Sequence, residues 1–506
     1  MADATLAALR ERLNSFHALT KAADVLEWDQ DVMMPRAGAA SRSLQIGAVR
    51  RAAHEALADA ETGRLIDALS RRLSDPDDES DDAALWRWAR HEFERRRREP
   101  AAQVEELARA TSRAQDVWAE ARAKADFALF RPELERVVAL KRRQAETVGG
   151  AGDPYDAWLE EFEPGMTTAD VDRLFAELEP GLVPLARAAA ARGPSPLPEA
   201  LRGRFDLGRQ RELAEAAARL MGFDFAHGRL DESAHPFSTA FSLGDVRLTT
   251  RYRETDLFSA LFGVMHEAGH GLYEQRVDAA LAETPLCRGA TMALHESQSR
   301  LWENVVGRGR PFWTAFLPRL HALFPQTASL GIEEILAAVN RSAPSLIRVE
   351  ADELTYSLHV LLRYDLERRL LSGKLKVAEL PDAWNEGMRV RIGLTPHDDA
   401  SGVLQDVHWS AGLFGYFPTY AIGNMISVQL YSAAVAASPE IPGCLSRGDC
   451  APLLGWLSRN VHRHGRKFSA QQIVRCAAGE PISAAPYLTY LRGKYGAELR
   501  GRDGRS

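Results

Sequence analysis

Residues 264–270 read Val264-Met265-His266-Glu267-Ala268-Gly269-His270. Upstream, Leu257, Phe258, Leu261 and Phe262 are apolar as well, so the stretch reads as a helix buried on most of its faces. On a helix, His266 and His270 leave the same face one turn apart, and both imidazoles can grip one ion. Glu267 sits beside the first histidine, placed to reach a water on that ion without being a ligand. Two neutral imidazoles and a carboxylate, with one position open, form a donor set that suits zinc. A bound ion makes water acidic near neutrality, and Glu267 is then the general base. The plain alternative is a histidine pair satisfied at a helix surface. It fits the apolar context poorly, because buried polar groups need partners.

The third ligand has to come from outside this helix. A metzincin would continue with a glycine and a third histidine, where this chain has Tyr273 and Arg276, so that class is excluded. Glu274 lies on the same helix but too far along it to share the ion, and Glu283 precedes Thr284-Pro285 in a loop pattern. Glu296 belongs to a clear helical segment from Met292 to Trp302 and is the chosen ligand. Glu303, on the same face, is the weaker alternative or a group behind the ligands.

Working outward, Asp245 to Tyr252 alternates and carries β-branched and aromatic residues, so it reads as a strand. The metal helix is expected to begin near Asp256 as N-cap. The rest is helical. Leu6, Leu9, Leu13 and Phe16 mark one stripe; Leu85, Trp86, Trp88, Ala89 and Phe93 mark another. Breakers at Pro35, Asp75-Pro76, Pro100, Val148 to Pro154 and Gly193 to Pro196 read as turns between helices, and no repeat is present. The expectation is a mainly α fold with a small β element, forming a single domain over residues 1–506. An N-terminal helical lobe would span roughly 1–200 and the metal-binding core roughly 230–430.

The net charge of −7 argues against a nucleic-acid binder. The acidic run from Ser74 to Asp82 and the four arginines from Arg95 to Arg98 read as solvated helix ends or loops. Four cysteines in 506 residues, without a C-x-x-C pair, read as reduced thiols, with a short Cys444–Cys450 loop as the alternative. No uncharged apolar run is long enough for a bilayer, and the N-terminus lacks a signal-peptide pattern, so a soluble cytoplasmic protein is expected.

Further blocks give the sequence a resemblance. His235-Pro236-Phe237, the D-x-R-x-T pattern of Asp245 to Thr249, the H-E-x-x-H of His266 to His270 and His295-Glu296-Ser297-Gln298 occur in order. Ile347 to Asp352 (I-R-x-x-A-D) and Gly402 to Trp409 (G-x-x-Q-D-x-H-W) follow. In these blocks the chain resembles the M32 metallocarboxypeptidases, typified by carboxypeptidase Taq. Weaker similarity runs from Trp28-Asp29 to Lys494-Tyr495-Gly496. The resemblance implies a helical fold with a deep groove, similar to neurolysin and angiotensin-converting enzyme, and usually a homodimer. It also implies removal of single residues from free peptide C-termini with broad specificity, with zinc as the metal and cobalt as a working substitute.

Residue roles follow from that resemblance. A C-terminal exopeptidase has to recognise a carboxylate, which arginine does best. Arg348 is the favoured contact and Arg247 the second; without the resemblance, Arg348 would read as a salt bridge to Asp352. His408 and Tyr420 are assigned as donors to the developing oxyanion, as in related gluzincins, with Tyr416 as the fallback for Tyr420. The strand from Asp245 could pair with substrate backbone, and His235 is expected to shape the closed end of the groove. The alternatives are an oligoendopeptidase on the same scaffold and a non-catalytic helical binding protein.

Overall fold

The computed structural model describes residues 2–149 and 152–500, so Gly150 and Ala151 of the Val148–Pro154 turn lie outside the described residues. The chain is mainly α with one three-stranded sheet. It forms two compact units that interleave along the sequence. The first takes Met1–Arg97, Leu197–Val339 and Leu430–Pro481; the second takes Arg98–Pro196, Asn340–Gln429 and Ile482–Ser506. Neither unit is continuous in sequence.

In the first unit, helices α1 (Ala2–Val32), α2 (Ala39–Ala58) and α3 (Asp81–Arg98) bury the expected stripes. Leu6, Leu9, Leu13, Leu85, Trp86, Ala89 and Phe93 are all in the core, while Phe16 and Trp88 are half-buried with their rings 5.7 Å apart. Strands β1 (Gly228–Glu232), β2 (Ser238–Ser242) and β3 (Asp245–Thr250) form a sheet in the order β1-β3-β2. β3 pairs parallel to β1 and antiparallel to β2. Its alternation is real: Val246 and Leu248 are fully buried, and Arg247 between them faces the other way. Thr249 Oγ1 accepts from the Phe237 amide at 2.8 Å and donates to the Phe237 carbonyl at 3.1 Å, fixing the turn that carries His235.

The metal-motif helix, α4 (Ser259–Glu274), has Phe258 as its N-cap, two residues later than the sequence suggested. Asp256 instead accepts from the amides of Phe258 and Ser259, at 3.2 and 3.0 Å, and organises the turn before it. Leu261, Val264, Met265, Ala268 and Leu272 are at most 1% exposed. Burial of each large apolar side chain contributes about 1.5–3 kcal/mol. Within the run from Ala260 to Glu274, the stripe left open is Gly263, His266 and His270. Helix α5 (Met292–Arg300) packs on α4 and runs into a π-helical turn, Leu301–Val306.

In the second unit, α6 (Glu353–Leu371) is buried on nearly every face. Its N-cap is Asp352, whose carboxylate accepts from the amides of Leu354 and Thr355 at 2.9 Å. The four cysteines are free thiols, and no helix of the described residues is long and apolar enough to cross a membrane.

Candidate metal centre

Gly269 decides how closely α4 and α5 approach. A Cβ built there would lie 2.6 Å from the Gln298 carbonyl oxygen and 2.7 Å from the Ser299 Cα, so only glycine admits the contact. The approach brings Glu296, 7% exposed, to the open stripe of α4. Its Oε2 lies 3.6 Å from His266 Nε2 and 3.4 Å from His270 Nε2, and the ligand atoms of the three residues lie within 4.8 Å of one another.

The groups behind this triangle set its chemistry. His266 Nδ1 is 2.9 Å from Glu303 Oε2, so that nitrogen carries the proton and donates. His270 Nδ1 is 2.5 Å from His295 Nδ1, and His295 Nε2 is 2.7 Å from Glu274 Oε1. A proton on His270 Nδ1 and another on His295 Nε2 satisfy this chain from end to end. Both Nε2 atoms are then lone pairs turned toward a carboxylate oxygen. Three acceptors facing one another repel unless a cation lies among them, and a divalent ion with imidazole and carboxylate ligands fits.

The carboxylates are tuned differently. Burial would raise Glu296, but Arg300 (Nε to Oε1, 2.7 Å) holds it well below the usual range. Burial is likewise overcome at Glu303, held down to about 2 by Arg300, His266 and Arg308. Glu267 has no such partner and makes no hydrogen bond among the described residues. Burial, with Glu296 and Glu303 adding to it, pushes its carboxyl up to about 7. A nearby divalent charge acts in the opposite sense, toward the ionised form that a base requires.

The remaining expected residues fall in two places. In the first unit, Arg247 is bound to Asp245 through Nε at 2.9 Å and Nη2 at 3.0 Å, with its guanidinium over the Trp28 and Phe241 rings. His235 is exposed on the turn held by Thr249.

In the second unit, Arg348, 4% exposed, donates from Nε and Nη2 to Asp406 at 3.1 and 2.9 Å and from Nη1 to Tyr356 at 2.8 Å. The partner is thus Asp406; Asp352, the sequence's candidate, is occupied as the cap of α6. Arg363, fully buried, holds the other oxygen of Asp406 from Nε at 2.7 Å. The Arg348 guanidinium lies 5.0 Å from the Tyr420 ring centroid, and His408 Nε2 is 3.3 Å from the Tyr420 hydroxyl. Burial, opposed by Asp406 and helped by Arg348 and Arg363, lowers His408 to about 4, so it is neutral near pH 7. The loop bearing His408 is anchored by buried Glu367, which accepts from Trp409 Nε1 at 2.8 Å, the Gly415 amide at 3.0 Å and Tyr155 at 2.6 Å.

Sequence reasoning named none of Asp406, Arg363, Tyr356 or Glu367 as a functional group, and it quoted His295 only as part of a block. His295 had a local signal, being next to Glu296 and polar on a buried helix. Asp406 was likewise quoted only within its block, and the others had no local signal: the side-chain partners of Arg363 and Glu367 are 42 to 212 residues away, and Tyr356 is buried in a helix interior.

Residues 8–495 match the model of the carboxypeptidase Taq (M32) metallopeptidase family. Carboxypeptidase 1 of Bacillus subtilis (strain 168) is 39% identical over 477 residues, covering 94% of this chain and 95% of its own length. Thermostable carboxypeptidase 1 of Thermus thermophilus is 40% identical over 479 residues, covering 93% and 94%. Among solved structures, the M32 carboxypeptidase of Deinococcus radiodurans R1 superposes with a TM-score of 0.95 at 42% identity, over 98% of this chain and 100% of that one. With the donor triangle already in place, matches of that extent leave one assignment: this chain belongs to the carboxypeptidase Taq (M32) metallopeptidase family.

Proposed function

We propose that the protein is a zinc carboxypeptidase that releases single residues from the free C-terminus of peptides with broad specificity. The observation that carries this reading is the triangle of His266, His270 and Glu296 with Glu267 beside it; family membership supports it. When bound, zinc supplies Lewis acidity, polarising the scissile carbonyl and making water acidic near neutrality. Glu267 takes the proton of the attacking water and passes it to the leaving amine. His408 and Tyr420 donate to the oxygen on which negative charge develops, and a neutral His408 suits that role. Tyr416, whose ring lies 5.2 Å from that of Tyr420, is the fallback.

Arg348 keeps one N–H on each terminal nitrogen beyond its bonds to Asp406 and Tyr356, and these are the proposed contacts to the substrate's C-terminal carboxylate. Arg247, already paired with Asp245, is the secondary candidate, and His235 is assigned to restricting access to chain ends. Cobalt is the expected substitute for zinc. A homodimer is proposed on the resemblance alone.

The test is product mass spectrometry on a free-acid peptide and its C-terminal amide, with zinc or cobalt added. Stepwise loss of terminal residues from the free acid, blocked by the amide, is expected. Internal cleavage indifferent to the amide would make the protein an oligoendopeptidase. No cleavage at full metal loading would leave a binding protein.

A further inference from the structure

Away from the metal centre, the first unit holds a cavity of about 270 Å³ lined by residues of α1, α2 and α3 together with Pro285, Arg288 and Arg466. Its lining sets the aromatic rings of Phe16 and Trp88 beside five cations, and its single carboxylate is Glu92. Three of the cations are accounted for. Arg96 pairs with Glu92, Arg50 with Asp24 and Glu27 at 2.9 Å, and Lys21 donates to the Ala240 carbonyl at 2.6 Å with Asp24 3.9 Å away.

Arg288 and Arg466 are not matched. Arg466 gives its Nε to the Gly289 carbonyl at 3.1 Å, and Glu92 and Glu274 act on it only at longer range. Arg288 is exposed, and its guanidinium makes no hydrogen bond or ion pair among the described residues. Burial, with Arg288 adding to it, lowers Arg466 to about 10, so it is still charged at neutrality.

His17 is an independent sign of a missing ligand. It is 8% exposed and has no hydrogen-bond partner among the described residues. It lines both this cavity and a second one of about 150 Å³ that shares Lys21 and reaches Glu274. Burial and neighbouring Lys21 lower it to about 4, so it is a neutral imidazole with an N–H to donate. One anion in the cavity would give the His17 imidazole an acceptor and the two guanidiniums a shared counter-charge.

We propose that this cavity binds one small oxyanion, a carboxylate or phosphate, with Arg288 and Arg466 as counter-charges and His17 as a neutral donor. The guanidinium fork matches such oxygens in pairs. A volume several times the roughly 30 Å³ share of one water, with aromatic rings in its wall, leaves room for a small organic body behind the charge.

The test is calorimetric titration of the metal-loaded full chain with inorganic phosphate and, separately, acetate at constant ionic strength. It is carried out on wild type, Arg288→Gln and Arg466→Gln. Saturable one-site binding, weakened at least tenfold in both variants, is expected. Tighter phosphate would point to an inorganic anion or phosphate ester as the natural source, and tighter acetate to an organic acid. Anion bound on the metal would be indifferent to Arg288. Equal affinity in wild type and Arg288→Gln therefore overturns the proposal, as does the absence of saturable binding by either anion. Should Arg466→Gln fail to fold, Arg288→Gln decides alone, because its exposed side chain holds no bond that the fold needs.

Discussion

Around His266 and His270, three carboxylates (Glu267, Glu296 and Glu303) face the two guanidiniums of Arg300 and Arg308. In the second unit the balance is reversed: the guanidiniums of Arg348 and Arg363 share the one carboxylate of Asp406. Both clusters are buried, where an uncompensated charge is expensive. The first is therefore short of positive charge, which a divalent cation would supply; the second has positive charge in excess, which the proposed contact with a carboxylate or developing oxyanion would offset. Two buried ionic networks that look alike as lists of residues thus ask for ligands of opposite sign.

The largest expected effect removes chemistry from the first cluster without disturbing its charge demand. Glu267→Gln keeps the shape and all three ligands, so metal content measured by atomic absorption should stay at the wild-type level. A positioned base contributes about 10²- to 10⁴-fold, and kcat should fall within that range. Retained turnover would remove Glu267 from the mechanism; lost metal would mean that it is a ligand after all. The matching change in the second cluster is Asp406→Asn, which strips the shared carboxylate from two buried arginines. Breaking a buried pair costs about 3–5 kcal/mol, read as a lowered midpoint in urea unfolding, with metal content unchanged. An unshifted midpoint would show that the arginines are neutralised elsewhere, and the contrast between the clusters would fall.

A smaller effect separates ligands from their supports. His295→Phe keeps an aromatic ring but leaves the Nδ1 proton of His270 without its acceptor. Loss of such a supporting bond typically weakens metal affinity about 10- to 100-fold. Competition with a zinc-binding dye should register that loss, and an unchanged affinity would mean the His270–His295–Glu274 chain does not orient the ligand.

How much of this was legible in the sequence depended on distance along the chain. His266, Glu267 and His270 were readable because one helical turn fixes their spacing, and Glu296 because its helix carried a clear pattern and Glu274 and Glu283 were placed badly, which left only Glu303 as an alternative. Glu303 was readable as a neighbour on the same face, but its bond to His266 was not, nor was the π-helical turn that carries it. Arg348 was singled out in its block, and the salt bridge to Asp352 that its spacing alone would suggest does not form. Asp352 is the local choice at helical spacing, yet it caps α6, and the true partner lies 58 residues on. β3 was visible through its alternation, whereas Gly228–Glu232 and Ser238–Ser242 are short and weak in β-formers and exist because β3 gives them an edge to pair with. The oxyanion cavity was invisible for the same reason, since it joins His17 to Arg466 from opposite ends of the chain.

The smallest effect sharpens the comparison through pH. Burial and the two arginines depress His408 to about 4, against an ordinary value of 6.5, while Asp406 opposes them. Above pH 6.5 the imidazole is neutral in both folded and unfolded chains and has no influence on the pH dependence. As pH falls from 6.5 toward 4 the unfolded chain takes up the proton first, so stability is lost across that window and no further below it. Between pH 6.5 and 5.5 this amounts to about 1 kcal/mol. Other buried histidines contribute in the same sense, so the readout is the difference between wild type and His408→Gln in urea unfolding at the two pH values. The variant should lose about 1 kcal/mol less than wild type over that unit. Identical losses would mean that His408 takes up its proton as readily in the folded chain as in the unfolded one, and neither burial nor the two arginines would then keep it neutral as an oxyanion donor.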